Sequence, residues 1–290
     1  MTAQKTLPAP LELDEVLTLV RLALDEDLRY GPDVTSVATV PADATAKASV
    51  VSRAEGTVAG IDVGLLVLDE VIGVGNYDVV DRVADGTRVV PGQSVLTVEA
   101  PTRGLLTAER TMLNLVCHLS GIATATAAWV DAVAGTDAKI RDSRKTLPGL
   151  RALQKYAVQV GGGVNHRMGL GDAALIKDNH VAAAGSVVAA LRAVRELAPD
   201  IECEVEVDTL EQLDLVLAEN VELILLDNFP LWQTQIAVQR RNTASPATKL
   251  ESSGGLSLDV AAEYAGTGVD YLAVGALTHS VTVLDLGLDM

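Results

Sequence analysis

Apolar residues recur along this chain in two rhythms, one helical and one strand-like. Over Leu11 to Asp27, Leu13 or Val16, Leu17, Val20 and Leu24 fall near one face of a helix. The Tyr30-Gly31-Pro32-Asp33 run then ends it. Ala46 to Val51 reads as a strand, and Ile61 to Val74 as a buried helix. Short β-prone pieces follow at Tyr77 to Val80, Arg88 to Val90 and Val95 to Val98, with turns at Asp85-Gly86 and Pro91-Gly92. The first ten residues read as a frayed lead-in. Thr102 to Asn114 and Gly121 to Ala134 are expected as two separate helices, the first carrying Glu109-Arg110.

After this point the rhythm changes. Short apolar strands alternate with helices at intervals suited to βαβ units. Expected strands are Ala138 to Asp142, Ala173 to Asp178, Glu202 to Asp208, Glu222 to Asp227, Thr248 to Ser252 and Val269 to Val274. Helices over Leu210 to Ala218 and Leu256 to Tyr264 lie between them, and Thr282 to Leu284 is a candidate extra strand. The fold class is α/β: a small N-terminal α/β domain over 1–112, which the C-terminal tail 281–290 can join, and a β/α barrel over 113–280. Arg141, Lys177, Glu206, Asp227, Glu251 and Gly275 each sit in or just past the end of a different strand. In a β/α barrel those ends converge on one mouth.

Composition sharpens this picture. Apolar residues make up 49% of the chain but aromatics only 3%, with Phe229 the single Phe. Such a core of Ala, Val, Leu and Ile suits parallel strands covered by helices. The formal net charge of −17 opposes binding to nucleic acid or anionic membranes. Cys117 and Cys203 lack metal-ligand spacing and read as buried free thiols. No signal-like leader and no run of eighteen apolar residues is visible, so a cytoplasmic location is expected.

Against this acidic background the cations cluster. Lys139, Arg141, Arg144 and Lys145 lie within seven positions, and Asn165-His166-Arg167 and Lys177-Asp178-Asn179-His180 extend the cluster. Arg supplies a fork of donors and Lys a mobile charge, which together suit phosphates and planar dicarboxylates. Glu206 and Asp227 close two apolar runs. Carboxylates there need a cation, either Lys177 or a hard metal ion carried by a phosphorylated substrate. The turns Ser252-Ser253-Gly254-Gly255 and Gly275-Ala276-Leu277-Thr278-His279 let backbone N–H groups approach a phosphate. Gly161-Gly162-Gly163 fits no dinucleotide or Walker pattern and reads as a flexible turn.

On these residues alone three readings stay open. One is an enzyme that takes a phosphorylated substrate carrying Mg²⁺, with cations suited to a planar dicarboxylate. Another is a barrel lyase or aldolase with Lys177 as a Schiff-base lysine. The third is an acidic ligand-binding scaffold, which leaves the converging polar strand ends unexplained.

In order along the chain, LDEDLRYGPDVTS (24–36), ERTMLNLVCHLSGIAT (109–124), KIRDSRKTLPGLR (139–151), GGGVNHRMGLGDAALIKDNH (161–180), EVEVDTLEQ (204–212), ILLDN (224–228), LESSGG (250–255) and VDYLAVGALTHS (269–280) resemble the quinolinate phosphoribosyltransferase family. The resemblance implies a decarboxylating pentosyltransferase that uses quinolinate, phosphoribosyl pyrophosphate and Mg²⁺ in NAD biosynthesis. It implies a seven-stranded, incomplete barrel and a homodimer with shared active sites, to which Arg110 is lent across subunits. By motif it places Ser143, Arg144, His166, Arg167 and Lys177 around the substrates. Lys145 and Lys177 face phosphoribosyl pyrophosphate, and Glu206 and Asp227 hold its metal and ribose. Lys145, Lys177, Glu206 and Asp227 form the catalytic set. Ser253, Gly254, Gly255, Val274, Gly275, Ala276 and His279 surround the 5-phosphate. A relative acting on nicotinate would need the same phosphate apparatus with fewer cations for carboxylates.

Overall fold

The computed structural model describes residues 7–290, so most of the expected frayed lead-in lies outside the described residues. The chain divides into two compact units. One gathers Met1–Ala127, Leu147–Gly161 and Ser280–Met290; the other gathers Ala128–Thr146 and Gly162–His279.

The first unit is α/β. Its antiparallel sheet runs in the order Leu286–Asp289, Thr45–Ser52, Ser94–Pro101, Asp78–Arg82. Along Thr45–Ser52 exposed and buried residues alternate, with Ala48, Val50 and Ser52 turned inward, as a sheet with one solvated face requires. The helices Leu13–Leu28 and Ile61–Ile72 match their periodicity. A six-residue helix, Val34–Thr39, follows the Gly-Pro turn and is too short to show a period. Its start is still legible in chemistry, because Asp33 caps it by accepting from the Ser36 amide at 3.0 Å.

The expected pair of helices after residue 101 is one continuous helix, Thr102–Ala132. Gly121 does not break it. A Cβ there would lie 2.3 Å from the Thr282 carbonyl oxygen, so the glycine makes room for a crossing backbone. By length and composition alone this helix could cross a membrane. Its apolar face, with Met112, Val116, Leu119 and Ile122, is buried in the fold instead.

Six parallel strands build the second unit, in the spatial order Lys139–Arg141, Tyr271–Ala273, Lys249–Ser253, Leu223–Asp227, Cys203–Val207, Ala174–Ile176. The first and last strands of this unit, Lys139–Arg141 and Tyr271–Ala273, are therefore neighbours, as in a barrel. The seventh position is not a regular strand. Val164 makes an isolated parallel bridge to Arg141, and the Arg167 guanidinium donates to the Ala173 carbonyl at 2.9 Å on the other side. Thr282 to Leu284 is not a strand and lies in the first unit, which corrects the expectation of a barrel strand there. The Val164–Arg167 segment carries one apolar residue and so has no strand signature.

Gly161-Gly162-Gly163 forms a turn as expected, and its first glycine also makes room for packing. A Cβ on Gly161 would sit 2.5 Å from the Ala123 carbonyl, and Gly162 adopts φ +91. In the barrel strands both faces are covered. Cys203, Val205 and Val207 point one way and Glu204 and Glu206 the other, the period of two expected of a strand. Neither cysteine is in a disulfide, and burial pushes the Cys203 thiol up to about 11.

Candidate active site

The strand ends of the second unit enclose a cavity of about 470 Å³, within the range of small-molecule sites. Strand register explains which side chains meet there. Ile176 pairs with Val205, so the next residues, Lys177 and Glu206, emerge side by side and form an ion pair. Asp227 pairs with Ser253, and Ser253 with Ala273, which brings the two small-residue turns together. Ser143, Arg144, Lys145, His166, Arg167 and Lys177 form the cationic wall. Glu206, Asp227 and Glu251 supply the acidic side, and Ser253, Gly254, Gly255, Val274, Gly275, Ala276 and His279 complete the lining. Leu175, Leu225, Leu256 and Ala273 add apolar surface that sequence reasoning did not single out. Arg110 lies exposed on the Thr102–Ala132 helix in the first unit and does not line this cavity.

Two turns owe their shape to close approach. A Cβ on Gly254, at φ +91, would lie 2.2 Å from Asn228 Oδ1. One on Gly275 would lie 3.0 Å from Lys145 Cδ and 3.3 Å from His279 Nε2. Thr278, buried behind that turn, donates its hydroxyl to the Lys145 carbonyl at 2.8 Å and so ties it to the basic loop. Asn228 holds a left-handed conformation at φ 54, and its amide donates to Asp227 Oδ2 at 2.8 Å. Asn228 and Thr278 were visible in the motifs but not their roles, because neither depends on a pattern of spacing.

Beneath the mouth lies a second, drier layer. Arg141 donates to Glu251 at 2.8 Å, and His166 Nε2 lies 2.7 Å from Glu204 and 4.0 Å from Glu251. Asp142 accepts from the His166 amide at 2.8 Å and from the Asn165 side chain at 2.6 Å. Burial pushes Glu204 up to about 7, opposed by Arg141. Glu251 also rises to about 7, through burial and then the charge of Glu204. Burial and the neighbouring Arg144 hold Arg167 below the usual guanidinium range. Ligand atoms of His166, Glu204 and Glu251 all lie within 4.8 Å of one another, a spacing that a divalent ion could use. At the mouth, Glu206 and Asp227 offer the carboxylate oxygens that a hard cation prefers.

A β/α barrel whose mouth opposes cations to carboxylates and to glycine turns defines a protein that handles anionic, phosphorylated substrates. Residues 33–120 match the quinolinate phosphoribosyl transferase N-terminal domain, and residues 122–289 match the C-terminal domain of the same family. The chain belongs to the quinolinate phosphoribosyl transferase family. It is 71% identical over 279 residues to the nicotinate-nucleotide pyrophosphorylase [carboxylating] of Mycobacterium leprae, covering 96% of this chain and 98% of that one. A probable enzyme of the same name from Bacillus subtilis is 40% identical over 270 residues, covering 91% and 90%. The solved nicotinate-nucleotide pyrophosphorylase of Francisella tularensis superposes with a TM-score of 0.91 at 35% identity, covering 99% of each chain.

Proposed function

We propose that this protein converts quinolinate and phosphoribosyl pyrophosphate into nicotinate mononucleotide, pyrophosphate and carbon dioxide, a step of de novo NAD biosynthesis, in the cytoplasm. The observation that carries the reading is the single cavity in which Arg144, Lys145, Arg167 and Lys177 face Glu206, Asp227 and two small-residue turns. A ring diacid and a polyphosphate repel each other in water, and the four cations offset that repulsion.

The ring nitrogen attacks the anomeric carbon of the ribose, and the electrons of the broken C–O bond leave with pyrophosphate. The ring then loses its 2-carboxylate as carbon dioxide; the electron pair left at C2 is stabilised by the adjacent cationic nitrogen and takes a proton from solvent. Arg144, Arg167 and Lys177 surround the diacid, with Ser143 and His166 beside it. Lys145 and Lys177 offset charge on the leaving pyrophosphate, and the turns at Ser253–Gly255 and Val274–Ala276, with His279, seat the 5-phosphate. The protein's contribution is alignment and charge placement. Glu206 and Asp227 fit the family's Mg²⁺, since that ion takes few protein carboxylates and fills its shell with phosphate and water. When bound, it offsets charge on the pyrophosphate.

Arg110 belongs, in this reading, to the partner's site within a homodimer. Mixing folded, inactive Arg110→Ala and Lys177→Ala dimers should recover about a quarter of wild-type activity, because half the dimers are mixed and each has one intact site. No recovery despite verified exchange would confine Arg110 to its own chain. Rates with quinolinate should far exceed those with nicotinate; the reverse order would move the chain to the nicotinate-specific reading.

A further inference from the structure

His166 lines the cavity, yet its hydrogen bonds point it away from a direct ionic role. The imidazole is buried at 7% exposure. Its Nδ1 accepts the backbone N–H of Arg167 at 2.8 Å. A ring nitrogen that accepts from an amide carries no proton, so the imidazole is neutral and its one N–H sits on Nε2. That N–H faces Glu204 Oε2 at 2.7 Å. Glu204 is buried on the Cys203–Val207 strand, on the same face as Glu206 but one layer deeper. Glu204 Oε2 is the acceptor that this N–H meets, which makes Glu204 the group that selects the tautomer. The consequence reaches Arg167: its amide is held by His166 and its Nη1 by the Ala173 carbonyl. Between those anchors the guanidinium is set on the cavity wall, in a stretch that lacks the ladder of a regular strand.

We propose that Glu204 is a positioning residue for the ring-diacid subsite: by accepting the Nε2 proton of His166 it fixes the tautomer whose Nδ1 captures the Arg167 amide, and so sets where the Arg167 guanidinium points. The inference rests on the proposed reaction for its substrate, but its structural half does not. Glu204 touches no reacting atom. It works through His166, and that residue acts as a neutral bracket rather than as a cation.

The chain has four histidines, so ring ¹⁵N signals can be assigned with single substitutions. In the wild-type protein at neutral pH, His166 should give the pattern of a neutral Nε2–H tautomer, whether or not any substrate turns over. An Nδ1–H tautomer or an imidazolium would overturn the proposal. Glu204→Gln keeps an acceptor oxygen, so the tautomer should persist and the quinolinate KM should stay within about threefold. Glu204→Leu removes the acceptor. It should mix the tautomers and raise the quinolinate KM roughly tenfold, while the KM for phosphoribosyl pyrophosphate changes little. Equal rises in both constants, or an unchanged tautomer in Glu204→Leu, would contradict it. If the leucine variant does not fold, the wild-type and Glu204→Gln spectra still decide. If the wild-type enzyme shows the tautomer but no turnover of quinolinate, the reaction assignment fails and the bracket stands.

Discussion

In the proposed reaction the two sides of the cavity recognise anions by different means. On the phosphate side, Ser253–Gly255 and Val274–Ala276 bring backbone close to the ligand, and the space comes from missing side chains. On the diacid side, Arg144, Arg167 and Lys177 reach inward on long side chains, which need bracing to hold one geometry. For Arg167 that bracing comes through His166 from the buried layer of Asp142, Glu204, Glu251 and Arg141. A backbone site fails when something is added to it. A side-chain site fails when a support is taken away.

Substitutions can separate these modes. The largest effect is expected at Asp227, which stands between them: Asp227→Ala should lower kcat/KM by about a hundredfold or more. Titration calorimetry should show the binding of Mg²⁺–phosphoribosyl pyrophosphate weakened more than that of quinolinate. Equal losses, with folding controlled, would make the residue structural. Next is the backbone side. Gly254→Ala places a methyl group against Asn228 at a strained φ, at a cost on the order of 1–3 kcal/mol. Affinity for the phosphate substrate should fall by tenfold or more, and an unchanged affinity would show that the turn can yield. On the side-chain wall, Arg167→Lys keeps the charge but loses the fork. Quinolinate affinity should fall roughly tenfold, more than that for the phosphate substrate; a fall in the latter alone would remove Arg167 from the diacid subsite.

The smallest effect is in stability. Glu204 and Glu251 rise from an ordinary value of 4.5 to about 7, so the folded state holds more protons than the unfolded one between those values. Their contribution to stability is fully present below the ordinary value and is lost as pH rises through about 7. Glu251→Gln should flatten the fall in urea midpoint between about pH 5.5 and 7.5. An unchanged slope would mean that Glu251 stays ionised throughout.

Much of this could be read before any coordinates. All six barrel strands announced themselves, because parallel strands buried on both faces are short apolar runs, and Leu223–Asp227 is nearly all apolar. The charged residues and the small-residue turns lining the cavity were named from strand ends and motifs, whereas the apolar Leu175, Leu225, Leu256 and Ala273 were not. The long helix was split because glycine has low helix propensity, and nothing local to Gly121 reveals the backbone that crosses it. The seventh barrel position was hidden for the opposite reason: Val164–Arg167 is held by Asp142, Arg141 and Ala173 rather than by a pattern of its own. Glu204 was legible only within the EVEVDTLEQ motif, two residues before Glu206. Which of those carboxylates lies deep, and against what, is a property of the closed sheet.

The products decide the reaction. Quinolinate labelled in its 2-carboxyl carbon, incubated with this protein, phosphoribosyl pyrophosphate and Mg²⁺, should release labelled carbon dioxide and form nicotinate mononucleotide in equal amounts. Absence of both at saturating substrate would contradict the assignment, and so would a ring nucleotide that keeps the label.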